Sequence, residues 1–372
     1  MARFRILPFS LLTLMTFLLL MVFALLPSAN AQDSQQKPWP VAQPWAVKIV
    51  ILATFEPDSG TRPGEFRYWK EREHLTEAIA LPGGVNPVYA NADHSVIGLV
   101  TGMSLVNASA SVMALGLDPQ FDLTHAYWLM NGIAGVDPNV ASLASAAWAS
   151  YIIGDVGRYI DPHDAPKEWP YGFFASGAAG PGQAPAPRKY SGMGDGNVNL
   201  YALNPALVAF AYGLTKDLKL GDTDEMKAAR ALYTGFPNAQ KPPFVLIGDT
   251  FSSDYFWHGP TSNKYAEDWV SLWTKGKGTF TMTAMEDSGV MQALQRLDTI
   301  HRVDFQRVMD LRVASNYSMP PPGESAVEGL TGGSGHFSGY LPSLESAYAA
   351  GNTVIQALLA DWPKYEAKAP GE

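Results

Sequence analysis

Residues 47–53 read VKIVILA, a run made mainly of β-branched and other apolar residues. Such a run is typical of a parallel strand that is buried on both faces of a sheet. Residues 95–100, SVIGLV, predict a second strand of this kind, which a glycine-containing turn connects to a helix of small residues over 107–115. The same order returns where a strand predicted over 126–130 is followed by NGIAG. This alternation predicts an α/β fold with a parallel sheet, in which ligands bind at the carboxyl ends of the strands.

The rest of the chain predicts further elements around one long irregular segment. The additional strands are predicted over 148–153, 244–247 and 279–283, and the helices over 199–215, 223–233, 290–305 and 344–359. Residues 161–197 are crowded with Pro, Gly and aromatic residues and are too long for an ordinary connection. We interpret them as an insertion near the functional site.

Composition restricts the classes of protein to be considered. The 372 residues are 47% hydrophobic and 16% charged, which excludes a disordered or fibrous chain. The net charge of -9 repels phosphate backbones, so nucleic acid polymers are not expected as partners. The sequence has no Cys, which excludes disulfides, a thiolate nucleophile and Cys-ligated zinc. Its His residues show no HxxxH or HxH spacing, and we expect neither a metal nor another cofactor.

The N-terminus has the three parts of a secretory signal peptide. Two arginines lie within residues 1–5, an uncharged apolar run covers 6–27, and the small residues Ala29 and Ala31 precede a cleavage point before Gln32. We therefore expect export to a secreted or periplasmic location. The apolar run is also long enough to span a bilayer, so an uncleaved membrane anchor stays open as an alternative.

These patterns divide the chain into three parts. Residues 1–31 are the predicted signal peptide, and residues 32–44, which are rich in Gln and Pro, predict a flexible leader. We expect residues 45–372 to form a single domain that carries the insertion at about 161–197.

Polar and glycine-rich motifs follow the predicted strands in a definite order. After an acidic turn behind the first strand they are TGMSLVNA at 101–108, NGIAG at 131–135, GDTF at 248–251, AMEDSG at 284–289 and RVASN at 312–316. This series resembles the nucleoside phosphorylase and nucleosidase superfamily, and the whole chain is similar to its fungal and bacterial branch, the purine nucleoside permeases. The resemblance covers residues 47 to about 359. It implies a nucleoside phosphorylase-like three-layer α/β/α fold with a central, mostly parallel mixed sheet and long loop insertions.

The resemblance implies a ribose site. Met285 and Glu286 match a Met-Glu pair in which the carboxylate accepts hydrogen bonds from ribose hydroxyls and the thioether packs on the sugar. An ionised carboxylate suits this task because charge-assisted hydrogen bonds are stronger than neutral ones. The alternative for Glu286 is an acidic residue that interacts with the dipole of a helix N-terminus. Thr101 and Gly102 are expected on the ribose side as well.

The resemblance also implies a base site. Phe251 matches a position where an aromatic ring stacks on the purine, and Gly135 is expected beside the base. Asn316 falls where nucleosidases have an Asp that can protonate purine N7, whereas an Asn only donates and accepts hydrogen bonds. Family members with Asn there tend to favour 6-oxopurines such as those of inosine and guanosine. The alternative for Asn316 is a loop residue that caps its neighbours.

The group that attacks the anomeric carbon distinguishes hydrolysis from phosphorolysis. Nucleosidases place a water-activating carboxylate after the first strand, where an ungapped match favours Asp58 and a shifted match favours Glu56. Either acid can equally be an ordinary surface residue. Phosphorylases hold phosphate with arginines, and we expect none in the turns after the strands that begin at Val47, Ser95 and Ala126.

We therefore expect an exported protein that binds purine nucleosides, namely inosine, guanosine or adenosine, and hydrolyses their N-glycosidic bond. Two alternatives stay open. One is a non-catalytic nucleoside-binding component of uptake. The other is phosphorolysis, with an arginine supplied by Arg158 or by a neighbouring subunit of a homo-oligomer.

Overall fold

The computed structural model describes residues 43–57, 62–184, 198–333 and 337–371. The predicted signal peptide, most of the predicted leader, Asp58 and the last part of the predicted insertion lie outside these described residues. Within the described ranges, no helix is long and apolar enough to cross a bilayer.

The described residues form sixteen strands, nine α-helices and two 3-10 turns. The strands are β1 (Trp45–Ala46), β2 (Ile49–Ala53), β3 (Glu77–Ile79), β4 (Val88–Ala90), β5 (Val96–Val100), β6 (Phe121–Asp122), β7 (Tyr127–Val136), β8 (Ala146–Trp148), β9 (Tyr151–Gly154), β10 (Gly157–Tyr159), β11 (Phe173–Ala175), β12 (Leu200–Ala202), β13 (Val245–Ile247), β14 (Asp249–Ser252), β15 (Phe280–Ala284) and β16 (Val308–Tyr317). The helices are α1 (Arg67–Arg72), α2 (Leu105–Leu117), α3 (Pro205–Thr215), α4 (Asp224–Ala231), α5 (Pro260–Thr274), α6 (Asp287–Thr299), α7 (Ala326–Leu330), α8 (Tyr340–Ala360) and α9 (Trp362–Ala367). The 3-10 turns are Pro162–Asp164 and Phe305–Arg307.

A mixed sheet of twelve strands forms the centre of the fold. Its order is β12-β9-β14-β15-β7-β2-β5-β4-β3, while β16 pairs with β7 and β8, and β8 also pairs with β13. Around the centre the pairs are parallel: β2 with β5 and β7, and β7 with β16. Helix α8 packs on β7 and β16, and helices α2 and α6 pack on each other. The predicted α/β fold with a mostly parallel mixed sheet is confirmed.

Strands β2 and β5 confirm the first two predicted strands. All five residues of each strand are buried, and the parallel register pairs Ile49 with Val96 and Ala53 with Val100. Both faces of these strands are covered, so a continuous apolar run is required rather than an alternating one. The strands end side by side, and the N–H of Thr101 donates to the carbonyl of Ala53 at 2.8 Å.

Strand β7 is longer than predicted. It continues through the whole NGIAG motif, so the prediction of a turn into a helix there is wrong. Strand β16 pairs with β7 in parallel along this stretch, and its polar side chains need the space that the two glycines leave. A Cβ at Gly132 would lie 2.2 Å from Arg312 Nη1, and a Cβ at Gly135 would lie 3.2 Å from Asn316 Nδ2.

Other boundaries differ from prediction to a smaller extent. The separate strands β8 and β9 replace the single strand predicted over 148–153, and GDTF lies mostly within β14 rather than in a turn after a strand. The helix predicted over 290–305 already ends at Thr299 as α6. Helix α4 begins as predicted, with the Thr223 hydroxyl accepting a hydrogen bond from the Met226 N–H at 3.2 Å.

Candidate functional site

A cavity of ≈ 360 Å³ lies where the ends of β7, β15 and β16 meet the loop between β2 and α1. Apolar and aromatic groups provide most of its wall, with a few charged and polar groups among them. The lining residues are Thr54, Phe55, Arg62, Glu65, Met103, Ile133, Ala134, Gly135, Phe256, Thr283, Ala284, Met285, Glu286, Arg312, Ser315, Asn316, Phe337 and Tyr340. Such a mixture is typical of a site for a small organic ligand that is fixed by a few polar contacts.

Glu286 lies between β15 and α6 and turns its carboxylate toward the cavity. It occupies the N-cap position of α6, but its side chain makes no capping hydrogen bond to that helix. Its oxygens have only long contacts, 3.3 Å from the Ser104 N–H and 3.5 Å from Arg312 Nη2. Ser104 presents that N–H with a backbone φ of 82°, a region that favours glycine. The carboxylate therefore keeps free capacity to accept hydrogen bonds from a ligand.

The carboxyl group of Glu286 is close to the midpoint of its titration at neutral pH. Burial raises the pKa of Glu286 to about 7; the guanidinium of Arg312 opposes this rise, and the carboxylates of Glu65 and Asp287 add to it. A ligand that donates hydrogen bonds to the carboxylate favours its ionised form. Ligand binding and proton release at Glu286 are therefore coupled.

Glu65 is the carboxylate that the loop after β2 presents to the cavity, and the sequence analysis missed it. One of its oxygens accepts from the N–H and hydroxyl of Thr54, both at 2.9 Å, and from the N–H of Phe55 at 3.1 Å. The other accepts from the N–H of Ile133 at 2.8 Å and lies 3.6 Å from Arg312 Nη1. These donors hold the carboxylate in a fixed position at the cavity wall.

Arg312 of β16 connects the acidic groups. Its Nε lies 2.9 Å from Asp287 Oδ1, its Nη2 contacts Asp287 Oδ2, and its Nη1 donates to the carbonyl of Ile133 at 3.1 Å. The same guanidinium reaches Glu65 and Glu286, so the two cavity carboxylates share one cation. Burial by itself lowers the pKa of Arg312, but the surrounding carboxylates, led by Asp287, raise it above its ordinary value. Arg312 is therefore charged at every accessible pH.

Asn316 lies at the end of β16 and lines the cavity together with Gly135. Its Nδ2 donates to the carbonyl of Tyr317 at 2.9 Å, and its Oδ1 accepts from the hydroxyl of Ser315 at 2.8 Å. An amide nitrogen has two hydrogens and the oxygen two lone pairs. One donor and one acceptor thus stay available to a ligand.

Glu56, a candidate for the water-activating group, does not line the cavity. Its carboxylate accepts hydrogen bonds from the N–H groups of Gly64, Phe66 and Arg67 at 3.0, 3.1 and 2.8 Å, and the Arg67 guanidinium lies 3.3 Å away. These contacts fix the loop at the start of α1, because the N–H groups of a first helical turn lack helical partners. Asp58, the other candidate, lies outside the described residues.

Three further predicted site residues do not line the cavity. Thr101 and Gly102 follow β5, and the neighbouring residue Met103 lines the cavity instead. Phe251 is buried among other aromatic rings, with ring centres 5.8 Å from Tyr265, and is thus a core residue. The aromatic ring that this segment offers to the cavity is Phe256. Met285 and Glu286 do line the cavity.

Two arginines line the cavity, whereas the expectation of no arginine concerned only the turns after the strands that begin at Val47, Ser95 and Ala126. Arg312 is one, and the other is Arg62, whose guanidinium lies 3.9 Å from the centre of the Tyr340 ring. Arg62 belongs to the loop between β2 and α1. Arg158, named as a phosphate-binding candidate, instead donates to the carbonyl of Ala178 at 2.5 Å.

In the described part of the chain, one acidic group has the spacing to hold a metal ion. It consists of Asp161, His163 and Asp164, all of which are exposed and none of which lines the cavity. Exposed groups of this kind are common in proteins without a bound ion.

Comparison with known sequences gives a consistent family. The family model described as purine nucleoside permease (NUP) matches residues 46–370. A purine nucleoside permease of Candida albicans is 31% identical over 348 residues, which cover 90% of this chain and 80% of the relative. A probable purine nucleoside permease of Schizosaccharomyces pombe is 28% identical over 283 residues, covering 74% of this chain and 79% of the relative.

Comparison with solved structures gives the fold. A mutant of the Helicobacter pylori nucleosidase MTAN, solved with 5'-methylthioadenosine in the active site, matches with a TM-score of 0.51 at 16% identity, covering 84% of this chain and 100% of that chain. Futalosine hydrolase of Helicobacter pylori matches with a TM-score of 0.50 at 15% identity, covering 84% and 99%. The nucleoside phosphorylase and nucleosidase fold is thereby confirmed. With a family model that matches nearly the whole described sheet and helices, this chain belongs to the purine nucleoside permease family.

Proposed function

We propose that the protein binds purine nucleosides in the cavity and hydrolyses their N-glycosidic bond. The names of the fungal relatives support a purine nucleoside as the ligand, and the fold is that of nucleosidases solved with methylthioadenosine or its analogues. One observation carries the proposal. Two buried carboxylates, Glu65 and Glu286, contact the same guanidinium of Arg312 at the wall of a cavity that Asn316 also lines.

The ribose is held by Glu286 and Met285. The two Glu286 oxygens accept from neighbouring ribose hydroxyls, which are stronger partners than the long contacts that the oxygens have in the ligand-free site. The Met285 thioether packs on the sugar. On the base side, the rings of Phe256 and Phe337 offer aromatic faces to the purine, and the free N–H of Asn316 donates to a purine acceptor.

The proposed reaction places positive charge on the ribose and negative charge on the leaving purine. Glu65 takes a proton from a water molecule whose oxygen forms a bond to C1′, while the C1′–N9 bond breaks and its electrons leave with the purine. Glu65 and Glu286 stabilise the cationic sugar, and Asn316 stabilises the departing base by a hydrogen bond. The purine then takes up a proton from solvent. Glu65 here replaces Glu56 and Asp58 as the proposed base because it lines the cavity.

Two other functions have specific support. Arg62 at the cavity favours phosphorolysis, because a guanidinium is a good phosphate ligand. The permease names of the relatives favour a nucleoside-binding component of uptake. The N-terminal segment supports export in either case.

The test follows base release by the chain that starts at Gln32. Inosine, guanosine and adenosine are incubated with the protein with and without phosphate, and free base and ribose are measured. We expect release without phosphate. Strict dependence on phosphate would replace hydrolysis by phosphorolysis, and tight binding without release would replace catalysis by a binding role. Glu286→Gln should weaken nucleoside binding strongly, while Glu77→Gln, which removes an exposed carboxylate that does not line the cavity, should leave binding unchanged.

A further inference from the structure

Arg312 is a single buried cation that three carboxylates contact. Glu286 Oε2 lies 3.5 Å from Nη2, and Glu65 Oε1 lies 3.6 Å from Nη1. Asp287 is closer and forms a bidentate contact with the guanidinium. Its Oδ1 lies 2.9 Å from Nε, and its Oδ2 contacts Nη2. A two-point contact of this kind is the strongest pairing that a guanidinium makes. The charge of Arg312 is therefore taken up mainly by Asp287.

Asp287 pairs with Arg312 from the side away from the ligand. It is fully buried in the first turn of α6, and it is absent from the cavity lining, whereas Glu65, Glu286 and Arg312 all belong to that lining. The N–H groups of Arg312 can therefore act as hydrogen-bond donors at the cavity wall. The positive charge of the guanidinium is already compensated by Asp287.

A fourth carboxyl group, Asp310, supports this pairing. It precedes Arg312 on the same face of β16, is entirely buried, and contacts Asp287. Its Oδ2 accepts from the hydroxyl of Thr250 on β14 at 2.9 Å. Burial and the neighbouring Asp287 raise the pKa of Asp310 well above its ordinary value, against the opposing effect of Arg312. Burial and the nearby Asp287 thus favour the neutral form of Asp310, and Asp287 is the acid that pairs directly with Arg312.

We propose that Asp287 determines which nucleophile this site accepts: by compensating Arg312 from behind, it excludes anionic phosphate and leaves water as the attacking group. This inference rests on the function proposed above and concerns the same site. With Arg312 compensated, the acidic groups that face the ligand are Glu65 and Glu286, and the negative charge on these carboxylates repels a phosphate dianion. Among the described residues that line the cavity, Arg62 is the remaining cation, and it is exposed against the Tyr340 ring.

The test measures phosphate binding with and without Asp287. Asp287→Asn removes the compensating charge, and Asp287→Asn with Asp310→Asn also removes the acid that can ionise in its place. Phosphate binding is followed by the rise in unfolding temperature and by competition with inosine, with sodium chloride at equal ionic strength as reference. Asp298→Asn is the matched control, because it removes the same charge near the other end of α6.

We expect phosphate to behave like chloride with the wild-type protein and with Asp298→Asn. In the double variant we expect phosphate affinity to rise by about tenfold or more. A folded double variant that stays indifferent to phosphate would overturn the inference. So would wild-type protein in which phosphate competes with inosine beyond the effect of chloride, a result that needs no variant to fold. Failure of wild-type protein to bind any nucleoside would overturn the proposed function instead, while the unfolding temperatures in phosphate still test the role of Asp287.

Discussion

Glu286 makes nucleoside affinity depend on pH. Because burial raises its pKa to about 7, a large share of the free protein carries a neutral Glu286 at neutral pH, and that form cannot accept from both ribose hydroxyls. Affinity should therefore be constant well above pH 7 and should fall below it by up to about tenfold for each pH unit. Titration calorimetry with inosine between pH 5.5 and 8.5 measures this.

The variant Glu286→Gln separates this effect from other titrations. It should bind inosine weakly at every pH in that range, with no slope. A wild-type affinity that is flat across pH 7 would show that the Glu286 carboxylate does not hold the sugar. The same would follow if proton release on binding were absent at pH 6.

At the scale of elements, the loop between β2 and α1 carries two glutamates with different tasks. Glu56 holds the backbone of the loop, whereas Glu65 faces the cavity. Glu65→Gln should lower turnover by about 10²- to 10⁴-fold, the usual contribution of a general base, with a much smaller effect on nucleoside affinity. Glu56→Gln should lower the free energy of unfolding by about 1–3 kcal/mol, because buried N–H groups lose a charged partner.

The measurements for this pair are single-turnover base release and denaturant unfolding. In folded Glu56→Gln, turnover should stay within about threefold of wild type, since Glu56 does not line the cavity. If Glu56→Gln abolished turnover and Glu65→Gln preserved it, the two roles proposed for this loop would be reversed.

The strands that the sequence predicted well are those buried on both faces. β2 and β5 are continuous apolar runs, and such runs leave little choice of structure. β7 was predicted too short because Gly132 and Gly135 resemble turn residues. Glycine is required at these two positions by tertiary packing, because the side chains of Arg312 and Asn316 occupy the space that a Cβ would need. No pattern local to β7 contains that information.

A residue's place at the cavity can be predicted from sequence when its motif lies just after a strand. Glu286 follows a strand directly, so its position at the sheet edge could be predicted. Glu65 is separated from β2 by a loop that folds back, and its contact with the N–H of Ile133 depends on that path. Glu56 is nearer to the strand in sequence but its carboxylate turns to Phe66 and Arg67. Sequence distance from the strand end was therefore a poor guide to the cavity.

At the scale of the whole molecule, several buried acids should make stability depend on pH. Burial raises the pKa of Glu286 to about 7, and those of Asp137, Asp155 and Asp249 to about 6, and raises the pKa of Asp310 well above its ordinary value. Their folded pKa values lie above the unfolded ones, so the folded state binds more protons between about pH 4 and 7. This part of the stability is complete below about pH 4 and is lost as the pH rises through 6 and 7.

Thermal unfolding between pH 4.5 and 8.5 measures the effect. The unfolding temperature should decrease by a few degrees from about pH 5 to about pH 8. In Glu286→Gln the decrease near pH 7 should be smaller, since that variant has no carboxyl group to titrate there. An unfolding temperature that rises steadily toward pH 8 would contradict the prediction.

The position of β16 in the sheet has a consequence for how the chain is made. This strand pairs with both β7 and β8, yet it is the last strand of the described chain to leave the ribosome. Until Tyr317 has been synthesised, the centre of the sheet lacks one of its members, and long-range pairings of this kind form slowly. The nascent protein therefore spends most of its synthesis without a complete central sheet. A chain in that state can still be threaded through a secretion channel, which is compatible with the export that we propose.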